Sequence, residues 1–148
     1  MAVVVSLKQR QRDKQVNYER SMLQELTLDM LKAYTNEVFS DYIDNGYLLK
    51  HNIENGCVDM AIEAYLLGAS FSKFGYYGET VENAKRRCLY EQKYVVDSLY
   101  DYLLFWGRFP SNGMFEESVY YTCEVFVDYW WNEGFSKGER RYRLRLHK

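Results

Sequence analysis

Three pairs of carboxylates stand four residues apart in this chain: Asp59 with Glu63, Asp97 with Asp101, and Glu124 with Asp128. On a helix that spacing puts both side chains on one face, where like charges repel by about 0.2–0.5 kcal/mol when exposed. The same arrangement can hold a magnesium ion for hydrolysis of a phosphorylated substrate, because hard cations prefer oxygen ligands. Asp97 and Asp101 share their face with Arg86 and Lys93, and Glu124 and Asp128 also fall on a polar face, so both pairs read as solvated. Asp59 and Glu63 differ, because their neighbours are apolar almost all round. They form either a narrow exposed strip, the favoured reading, or a buried polar site. Tyr76, Tyr77 and Glu79, just beyond the same segment, complete the candidate polar site. The ExxE-type spacing of helical nucleotide pyrophosphatases is absent from this segment, and no cofactor or metal is expected.

Other catalytic chemistries have little to work with. The two histidines, His51 and His147, and the three cysteines, Cys57, Cys88 and Cys123, are scattered. No CxxC, HxxxH or Cys/His zinc spacing occurs, and no Ser-His-Asp set can be read. Cys57 lies near a helix start, where a dipole can activate a thiol, yet a lone cysteine on an apolar helix is more often core. Three widely spaced thiols fit a reducing, cytoplasmic setting. The stretch AYLLGASFSKFGYYGETVE, Ala64–Glu82, carries Gly68, Gly75 and Gly78 but matches no phosphate-binding glycine pattern. It reads as a joint between two helices, with a ligand-cradling loop as the lesser alternative.

Charge is unevenly distributed. Residues 1–20 carry five basic against two acidic side chains and residues 136–148 six against one, so with a net charge of −2 the stretch between them carries −10. Arg140, Arg141, Arg143 and Arg145 alternate with Tyr142, Leu144 and Leu146 as a candidate docking tail. Arginine suits phosphate and carboxylate alike. The acidic body favours docking on the protein itself or on an acidic partner, and makes nucleic acid an unlikely target.

These residues need elements to position them, and the pattern is helical. One proline in 148 residues leaves room for long helices. A first helix is expected from about Val16 to Asn45, with Leu23, Leu26, Met30, Tyr34, Val38 and Tyr42 on one face and room for a break near Thr35–Asn36. The second, from about Asn52 to Phe74, is apolar nearly all round, which predicts a central, largely buried helix. Within it, Gly68 costs roughly 1 kcal/mol against alanine, repaid if another helix approaches there. Thr80 reads as the N-cap of a third helix running to about Gly107, and Gly78 as the turn before it. A fourth helix runs from Met114 to about Gly134 on Val119, Cys123, Phe126, Val127 and Trp130, with Trp131 at the edge of its polar side. The expectation is therefore an all-α protein, a compact bundle of about four main helices in one domain, 1–148. Its basic ends, 1–15 and 137–148, are able to stay flexible. Aromatics reach 18%, with 15 tyrosines, which places half-buried rings at helix seams or at an interface. No apolar run is long enough to span a membrane.

The segment GCVDMAIEAYLLGASFSKFGYYGE, Gly56–Glu79, resembles the YbaK-like proteins of Bacillus-like bacteria, a family of unknown function. SMLQELTLDML in the first helix and WWNEGF near the end of the fourth carry the same resemblance. It implies a cytosolic bacterial protein and lends no activity or functional residues. Two readings follow: a non-enzymatic interaction or regulatory module, acting on an unknown protein partner or by self-association, and, second, a metal-dependent hydrolase built on helix-borne carboxylates.

Overall fold

The computed structural model describes residues 2–110 and 113–144. Among them every regular element is helical: α1 (Ala2–Leu23), α2 (Leu28–Val38), α3 (Ser40–Asp44), α4 (Lys50–Tyr76), α5 (Val81–Arg87), α6 (Leu89–Trp106) and α7 (Gly113–Arg143). Seven helices replace the expected four among the described residues, because the first expected helix divides into three and the third into two.

The first expected helix divides into three. Its start lies well ahead of Val16, since a segment rich in Gln, Lys and Arg favours helix without any apolar period. Thr27 then ends the continuity by capping α2, its hydroxyl accepting from the Met30 amide at 3.1 Å. A second break falls at the buried Phe39, one turn after the expected place. The Thr35 hydroxyl, wholly buried, donates to the Leu31 carbonyl at 2.7 Å, a bond that tends to bend helices. The third expected helix breaks at Cys88, after Lys85, Arg86 and Arg87, whose charges favour a helix C-terminus.

The glycine-bearing stretch is a joint. α4 ends at Tyr76, Gly78 takes φ +105° in the turn, and the Thr80 hydroxyl caps α5 by accepting from the Asn83 amide. Only glycine adopts that φ without strain.

α4 touches α1, α2, α5, α6 and α7, and its interface with α7 is the most extensive in the molecule. Two glycines set that crossing. A Cβ at Gly68 of α4 would overlap the carbonyl oxygen of Trp131, and one at Gly134 of α7 would overlap that of Tyr65. The backbones therefore meet where side chains normally intervene. This explains why α7 continues past Gly134 to Arg143: the glycine serves a close approach rather than a helix end. Next to this crossing Trp131 covers neighbouring elements: it is fully buried, stacked on Phe135 at 5.0 Å with the Lys85 ammonium 5.5 Å from its ring.

Around this pair lie Tyr65, Phe126, Val127, Trp130, Leu99 and Leu103, all buried. Tyrosine hydroxyls bridge the seams: Tyr65 donates to the Met22 carbonyl, Tyr18 to that of Ala69 and Tyr102 to that of Asn52. The loop after α6 is tied back by the Arg108 amide, which donates to the Tyr47 carbonyl at 2.8 Å.

Candidate functional site

Asp59 and Glu63 lie on the outward strip of α4 and are exposed, as is Ser70 further along. Tyr76, Tyr77 and Glu79 sit at the far end, about 20 Å along the axis from Glu63 at 1.5 Å per residue. The five candidate residues thus fall into two separate places. At the joint, Tyr76 stacks on Tyr142 at 5.6 Å and meets the edge of Tyr77 at 5.2 Å. Glu79 accepts two hydrogen bonds from Arg87, which itself lies 4.2 Å from the Phe74 ring. The hydrogen-bonded guanidinium holds the Glu79 carboxyl below its ordinary value. This pairing clips α5 to the end of α4 and leaves Glu79 committed to structure.

One carboxylate of each of the other pairs is engaged by neighbouring side chains. Asp97 pairs with Lys93 at 2.7 Å and accepts from the Tyr120 hydroxyl at 2.8 Å. Asp128 binds Lys85 at 2.7 Å and accepts from Asn132. Among the described residues no group of three His, Cys, Asp or Glu side chains converges as a cation site would require. All three cysteines are buried as free thiols, and burial pushes the Cys57 and Cys123 thiols far up, away from reactivity.

Glu63 does belong to a concave site of a different kind. A groove of about 620 Å³ runs between α1 and α6 over α4. Leu66, Leu67 and Val95 form its floor, Tyr90 and Tyr94 one wall, and Glu19, Glu63 and Glu91 its charged edge, with no cation in the lining among the described residues. Tyr90 and Tyr94 start a strip along α6 that continues to Phe105; the three rings are 84%, 68% and 78% exposed. The strip spans about 22 Å. Helical periodicity does not reveal it, because these rings lie outside the buried stripe of that helix. The available signal was two tyrosines four apart, outside the stripe, flanked by Glu91 and Asp101. A second groove of about 570 Å³ between α5, α6 and α7 mixes Lys85, Arg86 and Lys93 with Glu124 and Asp128, so much of its charge is balanced internally.

The C-terminal arginines lie on α7 as far as Arg143, and Arg145 falls outside the described residues. Arg141, largely covered, pairs with Glu25 at 3.6 Å, and Arg143 reaches Glu139 at 4.0 Å. Arg140 is exposed. Lys137 lies 5.8 Å from the Tyr65 ring. This run touches its own acidic body at Glu25, the first of the targets its charge suggested.

No solved structure matches the chain. The uncharacterized protein YbaK of Bacillus subtilis (strain 168) is 32% identical over 146 residues, covering 99% of each chain. The family model described as "Protein of unknown function (DUF2521)" matches residues 1–147. By both the full-length match and the relative, the chain belongs to the DUF2521 family of proteins of unknown function.

Proposed function

We propose that this chain is a non-enzymatic interaction module, folded as one domain around α4 and acting in the cytoplasm through protein partners or self-association. The observation that carries this reading is the row of solvent-facing rings Tyr90, Tyr94 and Phe105 on α6, beside a groove with an apolar floor. Large aromatic side chains in such a row are enriched at interfaces, where they bury much area for little lost side-chain freedom. Contact of α4 with five other helices supports its role as the frame, and free buried thiols support a reducing compartment. Hydrolysis of a phosphorylated substrate would need carboxylates gathered round a cation, and Asp59 and Glu63 stand exposed without a third ligand beside them among the described residues.

The test is photo-crosslinking in cells, with a benzophenone amino acid placed at 90, 94 or 105 and, as control, at the exposed Asp44 on α3. Adducts at the three strip positions and none at 44 are expected. Absence of adducts from all three would refute the reading.

A further inference from the structure

We infer that the groove between α1 and α6 is filled by residues 7–17 of α1 from a second copy of this chain, making a two-fold symmetric dimer. The inference rests on the interaction-module reading and names its partner. Two features of one chain motivate it. All residues of α1 from Leu7 to Asn17 are exposed, so the front of this helix stands clear of its own bundle. A polar helix of that length is marginal in water without something to pack on. It carries Lys8, Arg10, Arg12 and Lys14 against Asp13 alone, with Leu7 as an exposed apolar side chain.

The groove is its complement. Its edge holds Glu19, Glu63 and Glu91 and, among the described residues, no cation, and its floor is Leu66, Leu67 and Val95. Gln15 and Glu19 of α1 themselves line it. A guest helix laid there runs alongside the host's own α1. In a two-fold dimer each copy then gives its basic helix and receives the other's, which is the self-complementarity that a two-fold interface requires. Lysine and arginine stems can cover the leucines and tyrosines while their charges reach the glutamates. Arg141 of the C-terminal run does not compete for this place, since it is engaged with Glu25.

Sedimentation velocity on the full chain across concentrations tests it. Dimers are expected at ~150 mM salt, weakening as salt screens the charges. Two surface variants, Lys8→Glu with Arg12→Glu and Glu63→Lys with Glu91→Lys, should each raise the dimer dissociation constant about tenfold or more. Mixing them should restore the heterodimer, because each basic helix then faces an acidic groove and each reversed helix a reversed groove. Circular dichroism confirms that both variants stay folded. A wild-type monomer at every concentration, or a dimer indifferent to both variants, would overturn the inference. A monomer whose position 94 still crosslinks to a different protein would sink the dimer and leave the interaction module standing.

Discussion

Residues 7–17 and residues 134–143 are both helical and both rich in lysine and arginine, yet they live in different surroundings. The first segment is solvent-exposed throughout. The second lies along α4, with Gly134 and Gly138 turned to the contact, Arg141 paired to Glu25 and Tyr142 stacked on Tyr76. Charge does not decide between these fates. Small residues at a spacing of four do, because they let a polar helix bring its backbone against another and bury what lies between. The N-terminal segment has glutamines and arginines in place of small residues, and it stays exposed along its length.

The largest expected effect attacks the packed segment. Gly134→Val should cost about 3 kcal/mol or more in urea denaturation, since the new side chain meets the Tyr65 carbonyl and neither backbone can yield easily. Gly113→Ala, at the open start of the same helix, should stay within about 0.5 kcal/mol. Equal costs at the two glycines would remove the close approach from the account.

A smaller effect is expected from the ion pair that anchors the segment's end. Arg141→Ala should lose about 1 kcal/mol, more than Arg140→Ala on the exposed side, because the Arg141–Glu25 pair is partly covered. A double-mutant cycle with Glu25→Ala isolates the coupling; a cycle closing at zero would detach the tail from the body. In the same vein, labelled DNA and RNA should show no submicromolar binding at ~150 mM salt by fluorescence anisotropy, since nucleic-acid affinity built on arginines falls steeply with salt. Binding that survives this salt and vanishes when residues 137–148 are deleted would recast that segment as a phosphate reader.

Acid gives the mildest of these effects. Lys93 and then the Tyr120 hydroxyl hold Asp97 below its ordinary 3.8. A carboxyl with a lowered folded value stabilises fully above its unfolded value and loses that contribution as pH falls through the folded one. Stability should therefore decline below about pH 4, and Asp97→Asn should flatten that part of the curve. An unchanged acid slope in the variant would show the contact to be without thermodynamic weight.

Much of this was legible in the sequence for physical reasons. Periodicity exposed the buried sides of α4 and α7, and Thr80 and Gly78 declared the joint through capping and backbone freedom. Gly68 was readable as a close approach because glycine inside a helix is costly without one. Gly134 was read as an end, since a glycine near a helix terminus has two uses that only the partner distinguishes. The break expected near Thr35–Asn36 falls a turn later at Phe39, and the one at Cys88 escaped, because neither position carries glycine or proline. The groove escaped for a different reason: Glu19, Glu63 and Glu91 come from three helices, and no single helical pattern joins them.

Hydrogen exchange measured at low and high protein concentration tests the comparison most directly. Amides of residues 134–143 should be protected at both, because their packing is internal. Amides of residues 7–17 should exchange rapidly when the protein is dilute and become protected as it concentrates, because their partner is a second copy. Rapid exchange of residues 7–17 at every concentration, or rapid exchange of residues 134–143 at any, would contradict the account.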